Sequence, residues 1–91
     1  MERIRRRRVK GWRMPPRAKY VGRPGVLGNP FTEGTKAGQI AEYRCAFYAG
    51  ELGIDEGFVR RELNGFDFVC CWCREDEPCH ADLHIEIVNA A

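Results

Sequence analysis

The spacing of apolar and polar positions predicts three strands, with two helices before the last strand and one after it. Residues 18–22 are predicted as a short strand. Residues 66–73 carry apolar side chains on both alternating faces, which is typical of an internal strand in a parallel sheet. Residues 5–10 contain too few apolar positions for a central strand, so they are predicted as an edge strand with solvated arginines.

Helical spacing dominates the middle of the chain. Thr35 is a suitable N-cap for a helix over about 36–49. Its predicted inner face consists of Ile40, Tyr43 and Phe47, widened by Ala41, Cys45 and Tyr48. Cys45 is expected to lie in the core, because a free cysteine behaves as a small apolar residue.

Two further helices complete the pattern. Asp55 can cap a helix that ends near Leu63, and the segment from about 79 to 89 has helical composition, with Glu75 or Asp76 as its cap. The elements therefore run strand, strand, helix, helix, strand, helix. This order predicts an α/β fold with a small, mainly parallel sheet of three or four strands and helices packed on it.

The length of 91 residues indicates one α/β domain over 1–91, with a basic N-terminal strand or arm at 1–10. A domain of this size buries only about 60–65% of its unfolded surface, so a metal or a partner would add useful stability. No apolar stretch is long enough to span a bilayer and no export signal is recognised. We therefore expect no membrane partner and a cytoplasmic location, where thiols stay reduced.

Positive charge is concentrated at the start of the chain. Through Arg23, ten basic side chains stand against Glu2 alone, so the remainder must be acidic to give the overall net charge of +2. The densest basic run consists of Arg5, Arg6, Arg7, Arg8 and Lys10. It is predicted either to bind nucleic-acid phosphates or to form a solvated sheet edge.

Residues 22–31 form a loop rich in glycine and proline, so the chain must turn sharply there. In one interpretation the loop faces an anionic ligand, with a guanidinium from Arg23 and further contacts from Gly25, Gly28 and Asn29. In the other it is a structural turn, because glycine and proline often only mark turns. It is not a Walker loop, because no Lys-Ser/Thr pair follows, and its glycine spacing does not match the dinucleotide fingerprint.

Four of the five cysteines and one of the two histidines lie within residues 66–80. An odd number of cysteines argues against a complete set of disulfides. In a first interpretation, zinc is bound by Cys71, Cys73, Cys79 and either His80 or His84, since thiolate and imidazole are suitable zinc ligands. The one-residue spacing of the first two cysteines is shorter than in the usual zinc knuckle.

Two other interpretations of this cluster remain open. Cys79 and His80 would lie at a helix N-terminus beyond the carboxyl end of a parallel strand, where α/β sheets bind ligands and where the pKa of a thiol falls. An anionic ligand, or catalysis by a thiolate and an imidazole as acid or base, would fit that position. In the third interpretation the cysteines only pack in the core.

Four motifs together resemble a small domain of unknown function, number 4326, found in phages and bacteria. They are Val-Lys-Gly-Trp-Arg-Met-Pro at 9–15, Tyr-Val-Gly-Arg-Pro at 20–24, Gly-Asn-Pro-Phe at 28–31, and Cys-Trp-Cys at 71–73 with Pro-Cys-His-Ala-Asp at 78–82. The last is more loosely similar to another uncharacterised family, number 488. The resemblance implies a compact, often phage-encoded α/β domain. The residues it marks are Arg23, Gly28, Asn29, Pro30, Cys71, Cys73, Cys79, His80 and Asp82.

The leading hypothesis is that the protein binds a small anion, a nucleotide or a nucleic-acid phosphate, between the loop at 22–31 and the helix start at Cys79 and His80. This hypothesis requires two segments that are distant in sequence to meet at one pocket. One alternative is a non-catalytic zinc module that contacts nucleic acid through its arginines. The other is a phage adaptor that binds a host protein in the host cytoplasm.

Overall fold

The computed structural model describes residues 1–23, 25–74 and 76–90, with strands and helices in the predicted order. The strands are β1 (Glu2–Arg5), β2 (Ala18–Tyr20) and β3 (Phe68–Cys71), and the helices are α1 (Lys36–Tyr48), α2 (Glu56–Leu63) and α3 (Ala81–Asn89). The predicted α/β class is confirmed. Within the described residues, no helix is long and apolar enough to cross a bilayer.

The central strand of the sheet is β3, which pairs in parallel with β1 on one side and β2 on the other. Ile4 and Tyr20 both lie opposite Cys70. This position explains the apolar residues on both faces of β3, since a central parallel strand is covered on both sides. Because the strands are parallel, the chain leaves all three of them at the same edge of the sheet.

The first strand lies earlier than predicted, at Glu2–Arg5 instead of 5–10. Arg6 N–H still donates a hydrogen bond to Cys71 O at 2.7 Å, after which the strand ends. The sequence pattern misses this strand because arginine is read as a solvated residue. Arg3 instead donates to the main-chain oxygen of Glu77 at 2.8 Å, and an arginine with such a partner fits a partly buried strand.

The core lies where the three helices meet the sheet. Its buried side chains include Val69 of β3, Tyr43 and Phe47 of α1, Val59 and Leu63 of α2, and Leu83 and Ile87 of α3. Tyr43 and Phe47 agree with the inner face of α1 that is expected from the sequence. Periodicity therefore identifies which side of α1 faces the core.

Cys45 is exposed, so the prediction that it is buried in the core is wrong. Successive residues of a helix are rotated by about 100°. Cys45 lies two positions from both Tyr43 and Phe47, which places it on the opposite side of α1. Ala41, two positions before Tyr43, is exposed for the same reason, and Tyr48 is exposed because it lies one position, about 100°, beyond Phe47.

Helix α3 begins two residues later than predicted, and its N-cap is His80, whose side chain makes no capping hydrogen bond. The expected cap at Asp76 is therefore wrong, and the one at Glu75 lies outside the described residues. Asp82, in the first turn, accepts a hydrogen bond from Cys79 N–H at 3.2 Å. Ala81 N–H, at the first position of α3, lies 3.5 Å from Cys79 Sγ, so this sulfur contacts the start of the helix.

Replacing Thr35 with alanine should lower the free energy of unfolding by about 1 kcal/mol, because its hydroxyl accepts a hydrogen bond from Gly38 N–H at the start of α1. Chemical denaturation followed by circular dichroism measures the change. Thr32→Ala is the control, since Thr32 is exposed and lies before the helix; its effect should stay within about 0.5 kcal/mol. Equal losses in both variants would contradict the assigned cap.

Candidate functional site

The end of β3 and the segment before α3 bring three sulfur atoms together. Cys71 ends β3, Cys73 lies two residues further on, and Cys79 lies just before α3. Their Sγ atoms all lie within 4.8 Å of one another, and those of Cys71 and Cys79 are 3.2 Å apart. All three residues carry free thiols. The cluster therefore offers three sulfur ligands within reach of one ion.

His80 directs one ring nitrogen toward this cluster. Its Nε2 lies 2.7 Å from the main-chain oxygen of Val21, and its Nδ1 lies 3.6 Å from Cys79 Sγ. Because a carbonyl oxygen can only accept a hydrogen bond, Nε2 carries the proton of the neutral ring and Nδ1 keeps its lone pair. Burial lowers the pKa of His80, which favours this neutral form.

His84, the alternative histidine ligand, is held by other partners. Its Nε2 lies 3.1 Å from the Leu27 oxygen and 3.2 Å from the Tyr43 hydroxyl. In the described part of the chain, the ligand atoms that all lie within 4.8 Å of one another are the three sulfurs; neither histidine belongs to this group, although His80 Nδ1 lies 3.6 Å from Cys79 Sγ. Burial lowers the pKa of His84 to about 4, so it packs in the core as a neutral imidazole.

The clustered thiols share protons through hydrogen bonds. Hydrogen bonds from Cys71 and Cys73 lower the pKa of Cys79, whereas hydrogen bonding to Cys73 and Cys79, together with burial, raises the pKa of Cys71. One proton held between these sulfurs accounts for both the raised pKa of Cys71 and the lowered pKa of Cys79. Burial acts to lower the pKa of Arg3, but its interactions with Cys79 and Asp82 raise it, and Lys36 Nζ lies 3.2 Å from Cys73 Sγ. These cations stabilise the negative charge that a metal-ligand set or a reactive thiolate needs.

A cavity of about 260 Å³ lies beside the sulfur atoms. From the glycine-rich loop it is lined by Gly22, Arg23 and Asn29, and from the cysteine segment by Cys71, Trp72, Cys73, Cys79 and His80. Its wall also includes Tyr20, Lys36 and Gln39. The two segments singled out in the sequence therefore meet at one pocket.

The hydrogen-bond donors of the glycine-rich loop are used within the protein. Gly25 N–H donates to Gly22 O at 3.1 Å, and Gly28 N–H donates to Gly25 O at 2.9 Å. The Arg23 guanidinium and the Asn29 side-chain amide also donate to main-chain oxygens. Gly25 and Gly28 are not among the residues that line the cavity. These bonds hold the loop in shape, and binding of an anion by Arg23, Gly25, Gly28 and Asn29 stays a prediction from the sequence.

Replacing Gly28 with alanine should destabilise the protein by about 1–3 kcal/mol, because its Cβ would lie 2.9 Å from main-chain atoms of Gly22 and Arg23. Gly57→Ala is the control, since its Cβ would meet other atoms only at 3.4 Å and alanine favours the helix that contains it. Thermal unfolding compares the two variants. A Gly28→Ala protein as stable as the wild type would show that the loop is not packed as described.

The arginine run reaches the aromatic side chains at the rim of the cavity. The Arg6 guanidinium carbon lies 4.8 Å from the centre of the Tyr20 ring and 5.2 Å from that of Trp72, and the Arg8 guanidinium carbon lies 4.8 Å from Trp72. Of the other basic residues in the run, Arg5 ends β1, and Arg7 and Lys10 are exposed.

Two cations beside the thiols were not predicted. Lys36 is the first residue of α1 and Arg3 lies in β1. The cap at Thr35 does indicate that Lys36 begins a helix, but periodicity within a single element cannot indicate which other segment the helix start will face. Only the packing of α1 against the cysteine segment makes Lys36 part of the site.

The parallel sheet, its covering helices and the thiol cluster define a small α/β domain with a cysteine–histidine site at one edge of the sheet. The chain matches the family described as Domain of unknown function (DUF4326) over residues 4–90, and it belongs to that family. Comparisons with curated proteins and with solved structures found no match. The first of the two resemblances seen in the sequence is thereby confirmed.

Proposed function

We propose that the protein binds a thiophilic metal ion, zinc in the first instance, through Cys71, Cys73, Cys79 and His80 Nδ1. The observation that carries this proposal is the approach of three sulfurs to within 4.8 Å of one another. Tetrahedral ligands at zinc–sulfur distances of about 2.3 Å lie about 3.8 Å apart, so small side-chain adjustments would complete the set.

His80 supports the same proposal independently of the sulfurs. Metal-bound histidines commonly donate their other ring N–H to a carbonyl or carboxylate, which orients the ring and leaves the second nitrogen for the metal. His80 has such a bond to the Val21 oxygen, and its Nδ1 lies 3.6 Å from Cys79 Sγ. Although Cys79 and His80 are adjacent in the chain, this arrangement is compatible with both facing one ion.

The donor set also indicates the role of the metal. Three thiolates and one neutral imidazole fill the four positions of a tetrahedral site, as in structural zinc centres, which keep no position open for substrate. Cys71 and Cys79 are each 1% exposed, and Lys36 with Arg3 would offset the excess negative charge of the thiolates. An ion in this position would join the end of β3 to the start of α3 and stabilise a thin core.

Elemental analysis and native mass spectrometry of the purified protein should find one zinc ion per chain. Cys73→Ser and Cys79→Ser should lose stoichiometric zinc, because each removes a thiolate ligand. The controls are Cys45→Ser on the exposed face of α1 and Cys70→Ala, a buried cysteine outside the cluster; both should keep zinc. His80→Ala should weaken zinc binding without abolishing it, since three sulfurs remain.

Removal of the metal with a chelator tests the proposed zinc site further. If zinc is bound as proposed, EDTA should lower the melting temperature of the wild type and leave that of Cys79→Ser unchanged. Protein purified from zinc-containing medium without metal, and equally stable with and without EDTA, would contradict the proposal. Rapid alkylation of Cys79 in that metal-free protein would then favour a reactive thiolate, with His80 Nδ1 as the nearby base.

A second candidate function is the binding of a small anion, such as a nucleoside phosphate, in the adjoining cavity. Lys36 and Gln39 from the first turn of α1 line this cavity together with Arg23. A helix start that carries a lysine is favourable for phosphate, because the helix dipole and the ammonium act in the same direction. The proposed anion site is therefore centred on Lys36. The glycine-rich loop forms one wall of the cavity, and its backbone N–H groups are not the proposed donors to the anion.

Lys36→Met should weaken binding of inorganic phosphate and adenosine monophosphate at least tenfold, as measured by calorimetry or by chemical shifts of cavity residues. Lys10→Met is the control with the same change of charge, since Lys10 is exposed and does not line the cavity. Equal weakening by both substitutions would indicate general charge attraction and would contradict a specific site. Origin in a phage and binding of a host protein stay predictions from the sequence.

A further inference from the structure

A second concave surface lies next to the candidate metal site and is not part of it. It is a cavity of about 380 Å³ lined by Arg5, Arg6, Arg7, Arg8, Val9 and Trp72, here called the arginine–tryptophan surface. Trp72 lies between Cys71 and Cys73 in the chain and also lines the cavity beside the thiols. The two cavities therefore share one indole side chain.

Within the described residues, the arginines of this surface have no acidic partner in an ion pair. In the described residues, the ion pairs involve Arg3, Arg17, Lys19, Arg44, Arg60 and Arg74, and none involves the arginines at 5–8. Arg5 Nε is buried without a hydrogen-bond partner in that part of the structure. Four adjacent guanidinium groups repel one another, so a bound polyanion would relieve the positive charge that they concentrate on this surface.

Two of the arginines are held against aromatic rings. The guanidinium carbons of Arg6 and Arg8 lie 5.2 Å and 4.8 Å from the centre of the Trp72 ring, and that of Arg6 also lies 4.8 Å from the Tyr20 ring. Such stacking uses a face of the guanidinium and leaves its N–H edges for phosphate oxygens. It also restricts two long side chains before any ligand binds, which lowers the entropy cost of binding.

Apolar side chains distinguish this surface from a plain solvated edge. Trp72 is 39% exposed and Val9 is 60% exposed, both within the arginine cluster. These exposed apolar side chains would contribute little to a surface that bound phosphates alone. Unstacked nucleobases supply the matching chemistry, because they stack on indole rings and on guanidinium planes while the backbone binds the cations.

We propose that the arginine–tryptophan surface binds single-stranded nucleic acid, with phosphates on the arginines at 5–8 and a base against Trp72. A duplex fits less well, since its bases are already stacked on one another and are not available to the indole. The proposal does not depend on the metal centre, because none of the arginines is a proposed ligand. The basic run is predicted from the sequence to bind phosphates, and the proposal adds recognition of bases by the same surface.

Fluorescence anisotropy of labelled twelve-nucleotide dT and rU strands, with a duplex of the same length for comparison, tests the proposal. Arg6→Ala combined with Arg8→Ala should weaken single-strand binding at least tenfold. The control is Arg60→Ala combined with Arg61→Ala, which removes the same charge from α2 and should change affinity less than threefold. The slope of log K against log salt should fall by about 1.4 in magnitude in the first variant, because each neutralised phosphate of a single strand contributes about 0.7 to that slope.

Trp72→Ala should weaken binding of single strands by about 5- to 150-fold, the range for one stacked base, and change duplex binding by less than threefold. Trp72→Phe keeps a stacking ring and should restore most of the affinity. Circular dichroism and metal content are measured on each variant, since Trp72 is flanked by two proposed ligands. If Trp72→Ala alters the metal content, the arginine variant, which leaves the cysteine segment intact, decides the result.

Three outcomes would overturn the proposal. Equal losses from the two double-arginine variants would show that only overall charge matters. Equal affinity for duplex and single strand, with no effect of Trp72→Ala, would reduce the surface to a phosphate strip. Displacement of the strand by poly-glutamate at equal charge concentration would show that the surface recognises any acidic chain, a protein partner included.

Discussion

The hydrogen bond between His80 Nε2 and the Val21 oxygen is the interaction on which the arrangement of the site depends. It connects the loop after β2 with the residue before α3, and it determines which ring nitrogen carries the proton. Without it, the lone pair of the imidazole would have no fixed direction. The parallel sheet makes this bond available, because the chain leaves β2 and β3 at the same edge.

Electrostatics explain why cations lie beside the thiol cluster. Hydrogen bonds from Cys71 and Cys73 oppose the desolvation penalty on a Cys79 thiolate, and Arg3 acts in the same direction. Lys36 Nζ adds a second cation 3.2 Å from Cys73 Sγ. These cations come from β1 and α1, so the site is assembled from elements that are distant in the chain.

Much of the fold can be predicted from the sequence, because helix caps and residue periodicity are local signals. Thr35 and Asp55 cap helices as expected, and the two apolar faces of β3 correctly indicate a central strand. The errors have local causes as well. The position of β1 is missed because Arg3 donates to carbonyl oxygens of a distant segment, and the prediction for Cys45 is wrong because this residue lies on the side of α1 opposite Tyr43 and Phe47.

The site is predictable only in part. The cysteine spacing indicates a cluster, and the two informative segments do meet, but the choice between His80 and His84 depends on which carbonyl each ring faces. The sequence also does not show that N–H groups of the glycine-rich loop bond within the loop. An N–H that donates to Gly22 O and one that faces a pocket look the same in sequence. Tertiary hydrogen bonds decide both questions.

The position of Trp72 between two sulfur-bearing residues has a thermodynamic consequence. An ion that held Cys71 and Cys73 would also restrict the indole between them, and a strand stacked on that indole would restrict the two sulfurs in return. The coupling free energy of two such occupants is the same in both directions, whichever arrives first. A domain this small could in that way make its affinity for a polymer depend on metal supply, without a hinge, a second subunit or any large movement of its backbone.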